Sequence, residues 1–178
     1  ELARDWLVIS CNIGQRASDL FKANKSSLNA DGNILTIQQQ KNANSKPIQI
    51  PLVPQVLEIL KKYNGDFPPL LSENVKNNFN YYGKLIKEVC KKAELNDEVK
   101  TLQYKSGENK SDYTHKMKWE LVSSHIGRRS FATNYYGKIP TALIQSLTGH
   151  LSEASFLLYI DKNRVVDLDD LRSQMMNA

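Results

Sequence analysis

The chain has 178 residues, with 24 lysines and arginines against 19 aspartates and glutamates for a net charge of +5, and 40% of its residues are apolar. That length supports one domain with its own hydrophobic core, and no apolar run approaches the roughly 20 residues of a membrane-spanning helix. Two cysteines make no disulfide framework and no Cys/His spacing suggests zinc, which fits a reducing cytoplasm. The modest positive charge is compatible with a polyanionic partner such as nucleic acid without requiring one. The chain opens on Glu1 rather than Met and shows no signal-peptide pattern, so we expect a fragment whose N-terminal part has been removed.

Leu2, Trp6 and Ile9 keep a helical period, which predicts an amphipathic helix over about residues 2–12. Asn12-Ile13-Gly14 then supplies a stop, with glycine free to adopt the left-handed conformation, and "QRASDL" reads as a short second helix. "DGNILTIQQQ" and "KPIQIPL" read as two strands joined by the polar turn "KNANS", and the alternation of Ile48, Ile50 and Leu52 supports the second strand. "VPQVLEILKKY" starts with Pro54 near a helix N-terminus and lines one face with Val56, Leu57, Leu60 and Tyr63. After the loop "NGDFPP", residues Val75, Phe79, Tyr82, Ile86, Val89 and Ala93 mark a helix of about five turns. "EVKTLQYKSGENKSDYTHKMKWELV" reads as a hairpin around "SGEN". The remainder predicts helices at about 124–137, 140–148, 153–159 and 166–175. The expected fold class is α+β but mostly α: a helical bundle with a small antiparallel sheet and an extra hairpin.

Four constellations carry chemistry. His125 and Arg128, three residues apart in "SSHIGRRSFATNYY", would share one helix face. Ser123 or Ser124 is a credible N-cap, placing His125 in the first turn, where backbone N–H groups and the helix dipole favour an anion. Alone, the pair also reads as a solvated basic helix end. In "LTGHLSEASFLLYI", Gly149 fits the residue after a helix end and swings His150 beyond it, and Tyr159 follows nine residues later. Alone, these read as a polar cap and a core tyrosine. A tyrosine whose hydroxyl emerged near two arginines could instead be a nucleophile. Arg16 follows the glycine turn with Asp19 placed to orient it by a charge-assisted hydrogen bond, or merely to pair with it at the surface. Lys41, at the first hairpin tip, and Lys46 could both be there for solubility.

Read together as Arg16, Lys41, His125-x-x-Arg128, His150 and Tyr159, the set resembles the catalytic domain of the tyrosine recombinases, the phage integrase family. "NIGQRASDL" resembles the family's first-arginine box, T-G-x-R-x-S-E-L; "SSHIGRRSFATNYY" resembles its H-x-x-R box and "LTGHLSEASFLLYI" its G-H…Y box. The resemblance runs from about Leu2 to Ile160, and the later boxes are worded most like integrases of Bacteroides-type mobile elements. Asn12, Ile13 and Gln15 depart from the usual neighbours of the first arginine. Family spacing favours Lys41 over Lys46.

The resemblance implies a catalytic domain over residues 1–178, with a core over about 1–160, a tail helix over 161–178, and the family's N-terminal core-binding domain missing. It implies DNA cleavage and rejoining without metal or cofactor. Tyr159 would attack a backbone phosphorus, Arg16, Arg128 and His150 would hold the phosphate, and Lys41 would protonate the departing 5′-oxygen. His125 would either accept the tyrosine proton or hold the phosphate, and Asp19 would orient Arg16. Partners implied are double-stranded DNA attachment sites, a homotetramer on DNA for the full-length protein, and accessory DNA-bending proteins, with no membrane, in a bacterial cytoplasm at the nucleoid. Lys84, Lys87, Lys91 and Lys92 would line the duplex or form a solvated face. The tail would pack on its own domain or on a neighbouring protomer. A nicking-closing enzyme of the type IB topoisomerase kind, and a DNA-binding module of this fold without catalysis, are the alternatives.

Overall fold

A computed structural model describes residues 1–40, 46–104, 111–150, 152–157, 160, 172 and 176. The predicted turns "KNANS" and "SGEN", and almost all of the predicted helix at about 166–175, lie outside these residues. No described helix is long and apolar enough to cross a membrane.

The first helix, α1 (Leu2–Ile13), is the axis of the domain. Its stripe of Trp6, Ile9 and Ile13 is buried, and it packs against α3 (Pro54–Lys62), α4 (Val75–Lys92) and α5 (Ile126–Tyr135). Aromatic rings fill the space beneath it. Trp6 meets Phe21 edge-on at 5.1 Å and stacks on Phe67 at 6.0 Å, while its indole N–H donates to the Pro69 carbonyl at 3.1 Å. Phe21 in turn meets Tyr82 of α4 edge-on at 5.2 Å. Burying such rings contributes about 1.5–3 kcal/mol each.

Strands β1 (Ile34–Ile37) and β2 (Ile48–Pro51) pair antiparallel, with Leu35 opposite Ile50 and Ile37 opposite Ile48. Leu35, Ile37 and Ile50 point inward while Thr36 and Gln49 face solvent, the period-2 alternation of a half-buried strand. β1 is shorter than predicted. Pairing stops at Ile37, and Gln39 continues the inward parity without a strand partner. The second hairpin, β3 (Glu98–Tyr104) with β4 (Ser111–Met117), is largely exposed; Leu102 faces Tyr113, and Lys100 Nζ lies over the Tyr113 ring at 4.4 Å. The helices α2 (Ala17–Leu20), α6 (Thr141–Thr148) and α7 (Glu153–Leu157) complete the described α-helices, and short 3-10 turns lie at Lys25–Ser27 and Lys118–Leu121. Among the described residues the buried side chains form two clusters: the main one, and a smaller one of Phe131, Ala132, Ile144, Phe156 and Ile160, with Leu147 packed against both.

Helices α1 and α5 approach closely where Gly127 faces Ser10. A methyl added at Gly127 would lie 2.9 Å from the Ser10 backbone carbon, which cannot give way as a side chain can. Gly127→Ala should lower stability by about 1–3 kcal/mol, read as a lower denaturant midpoint. Gly83→Ala, with open space around its added methyl in α4, should raise it by about 0.5–1 kcal/mol.

Candidate active site

Arg128 organises the site. It lies in the first turns of α5 and is 1% exposed. Its guanidinium bridges two helix ends, donating from Nη1 to the Gly14 carbonyl at 3.3 Å and from Nη2 to the Thr148 carbonyl. Both recipients are built by left-handed glycines. Gly14 (φ 71) closes α1 with its N–H on the Ser10 carbonyl, and Gly149 (φ 65) closes α6, with the N–H groups of Gly149 and His150 returning to Ser146 and Gln145. Carbonyl ends carry the negative pole of the helix dipole, so two of them facing one cation offset part of its desolvation. Arg129, one residue on, is exposed.

His125 is exposed one turn before Arg128, and here the structure corrects the expectation of a serine cap. His125 itself occupies the N-cap, without a side-chain capping bond. The Ser123 carbonyl instead accepts the Ile126 N–H at 2.9 Å, closing a turn that delays the helix start.

His150 leaves the end of α6 as predicted. Its ring meets Phe156 of α7 edge-on at 5.6 Å, and its Nδ1 lies 2.7 Å from the Thr148 hydroxyl. Burial, then the positive charges of Arg128 and Arg16, push the imidazole pKa down to about 4. Arg16, Arg128 and His150, separated widely in sequence, therefore share one electrostatic site. Arg16 is the N-cap of α2, and its side chain is 22% exposed. Its Nη1 stands 3.9 Å from Asp19 Oδ2, an ion pair too long for the hydrogen bond expected between them. Buried Asp19 spends its other oxygen on the Gln40 N–H at 3.0 Å, which holds the carboxylate against the chain just past the end of β1.

Sequence reasoning missed two glutamines. Gln39 and Gln15 are both 1% exposed. Gln39 Nε2 donates to Gln15 Oε1 at 2.7 Å, and Gln15 Nε2 donates to the Leu147 carbonyl at 2.5 Å. Gly149 backs onto the same amide, since a methyl there would collide with Gln39 Oε1. The pair thus ties the end of β1, the end of α1 and the end of α6 into one knot. Two faint signals point to it: Gln15 is an unusual neighbour for the first arginine, and Gln39 keeps the inward parity of β1. Lys41 and Tyr159 lie outside the described residues; Lys46 is exposed just ahead of β2.

A base whose pKa drops from 6.5 to about 4 on folding is neutral in both states at neutral pH. As pH falls through 6.5 the unfolded chain takes up the proton first, so the contribution of His150 to stability declines until about pH 4 and then levels. The difference in thermal midpoint between wild type and His150→Gln should therefore move against wild type as pH falls from neutrality to about 4. A difference that stays constant would mean that His150 is not held neutral.

No curated protein matches the chain. Among solved structures, the XerA recombinase is 16% identical with a TM-score of 0.59, covering 99% of this chain and 61% of that one. The Tn1549 transposon integrase bound to transposon right end DNA is 15% identical with a TM-score of 0.60, covering 99% and 58%. A lambda integrase dimer bound to a COC′ core site is 19% identical with a TM-score of 0.57, covering 93% and 54%. At these identities the likeness is one of fold, and the chain spans less than two thirds of each relative's length. Residues 3–165 match the phage integrase family, and with more than half its length covered by that match, the chain belongs to the phage integrase family.

Proposed function

We propose that this chain is the catalytic domain of a site-specific DNA recombinase, cutting and rejoining one strand at a time through a 3′-phosphotyrosyl intermediate. The observation that carries the proposal is the convergence of Arg16, Arg128 and His150, where the positive field of the two arginines adds to burial in opposing protonation of the imidazole. Such a site is built to receive an anion.

Phosphoryl transfer gathers charge on the non-bridging oxygens, and fixed donors stabilise it without reorganisation. Guanidinium groups suit this task because their planar fork matches two phosphate oxygens. Two of the donors of Arg128 are held by the Gly14 and Thr148 carbonyls, which sets the plane of the rest. Tyr159 attacks the phosphorus and forms the phosphotyrosyl ester; the bond to the 5′-oxygen breaks, and Lys41 gives that oxygen its proton. The reverse step, by the same or a partner strand's 5′-hydroxyl, regenerates the phosphodiester and frees the tyrosine. The bond energy stays in the ester, which is covalent catalysis by division of one step into two. His125 is either the acceptor of the tyrosine proton or a further phosphate ligand, and Asp19 orients Arg16.

In this reading residues 1–178 form the catalytic domain, with a core over about 1–160, a tail over 161–178, and a core-binding domain preceding it in the full-length protein. Its partners are duplex attachment sites, on which the full-length protein forms a tetramer, with accessory DNA-bending proteins, at the nucleoid of a bacterial cytoplasm. The solved relatives bound to transposon-end and core-site DNA support a DNA partner. The wording of the later boxes supports an origin in a Bacteroides-type mobile element. Lys84, Lys91 and Lys92 are exposed on α4, although Lys91 also lies over the Trp119 ring at 4.9 Å.

With a nicked suicide substrate carrying its attachment site, the full-length protein should yield a denaturation-resistant protein–DNA adduct. Tyr159→Phe should abolish it, Arg16→Ala should slow it by about 10²–10³-fold, and Arg129→Ala should cost far less. DNA retention without adduct would favour the binding module, and relaxation of supercoils without strand exchange the nicking-closing enzyme. Lys41→Ala should be rescued by a 5′-phosphorothiolate leaving group, which departs without a proton. Rescue of Lys46→Ala in its place would move the general acid to Lys46.

A further inference from the structure

The fully buried Thr148 has a hydroxyl with two close neighbours on opposite errands. Its Oγ1 lies 2.6 Å from the Ile144 carbonyl and 2.7 Å from His150 Nδ1, with the Gln145 carbonyl farther off at 3.4 Å. A threonine hydroxyl owns one proton and two lone pairs, and a carbonyl only accepts. Two oxygens at 2.6 Å attract each other only with a proton between them. That proton is therefore committed to the Ile144 carbonyl. The contact with Nδ1 must then be made by a proton on the imidazole, accepted by a lone pair of the hydroxyl.

We infer that Thr148 holds His150 in its Nδ1–H tautomer, so that Nε2 of the DNA-free protein carries a lone pair and accepts rather than donates. The tautomer itself is independent of the proposed function; only its bearing on phosphate binding rests on that reading. Thr148 is a positioning residue: it acts through the ring and touches no phosphate.

The consequence changes the expected role of His150. A neutral Nδ1–H imidazole cannot donate from Nε2 to a phosphate; it must first gain a proton. Among the described residues, the charged groups acting on the ring are Arg128 on α5 and Arg16 at the start of α2, with Asp19 beyond Arg16. Helix α6 has no titratable side chain, and the only one on α7, Glu153, is exposed. The two arginines oppose the second proton. An anion between them offsets that opposition. Phosphate binding is then coupled to uptake of one proton from solvent onto Nε2, with Nδ1–H remaining on Thr148 and no other bond made or broken.

The test is long-range proton–nitrogen NMR on the 178-residue chain with labelled histidine, the three imidazoles being separated by the spectrum of His150→Gln. At neutral pH, His150 should show a protonated Nδ1 and a bare Nε2; the reverse pattern overturns the inference. Thr148→Ser should keep the wild-type pattern. Thr148→Val should shift the ring toward Nε2–H, and an unchanged ring in a folded Thr148→Val would remove Thr148 from the account. If that valine variant does not fold, the wild-type and serine spectra still decide. Added sulfate, which stays ionised at mildly acid pH, should drive Nε2 to its protonated form, and less so in Arg16→Ala. A ring that stays neutral at every sulfate concentration overturns the coupling. Because the tautomer is read without DNA, a correct tautomer in a protein that forms no adduct would defeat the proposed activity alone. An Nε2–H ring in an adduct-forming protein would defeat this inference alone.

Discussion

A guanidinium taken out of water between two helix ends is the constraint on which the rest of the structure depends. Burying an isolated cation costs several kcal/mol even after relaxation, so Arg128 needs negative ends brought to it. The carbonyls of Gly14 and Thr148 supply them. For both to arrive, α1 must stop at Ile13 and α6 at Thr148, each turned aside by a glycine with positive φ. Helix α5 must also lie close enough to α1 for the arginine to reach across. Two close approaches make that possible: Gly127 against Ser10, and Gly14 against the Phe131 ring, where an added methyl would collide with the ring carbons. Three glycines distant in sequence thus answer one electrostatic demand.

The same demand shapes the chemistry. Fixed dipoles at the Gly14 and Thr148 carbonyls offset part of the positive charge of the site, and Asp19 stands at ion-pair distance from Arg16. The site's potential is left to act on whatever enters, and His150 registers it in the resting protein. The buried glutamine pair does for the hairpin what the arginine does for the helices. It fixes the end of β1 to the ends of α1 and α6 through hydrogen bonds of side-chain amides that carry no net charge.

Much of this is legible in the sequence wherever the determinant is local. Helical spacing in Leu2–Trp6–Ile9 and in Phe79–Tyr82–Ile86, alternation in β2, and the two helix-ending glycines each announce themselves within a few residues, and the structure bears them out. The motif boxes name the family. What stays hidden is made by contacts between distant residues. That Arg128 is buried rather than merely turned toward a ligand depends on carbonyls 114 and 20 residues away. Gln39 reads as part of a strand because its parity fits one, but its amide is claimed by Gln15, 24 residues earlier. The helix start at Ile126 rather than at a serine cap depends on a backbone turn that cap preferences do not encode. Propensity ranks single residues, and these outcomes are decided by pairs.

The division of the interior into two clusters has a thermodynamic consequence. Stability need not be uniform across a domain, and small packed units can open without the whole unfolding. Among the described residues, the lesser cluster rests on five buried side chains, and Leu147 is the one partly buried side chain packed against both. Two of the five, Phe156 and Ile160, flank the stretch of sequence that carries Tyr159. Opening of that cluster would loosen α6 and α7 while α1, α3 and α4 stay packed. Amide exchange should then reveal a cooperative unit of lower protection around α6 and α7, a subdomain able to come off its seat and return while the bulk of the fold keeps its shape.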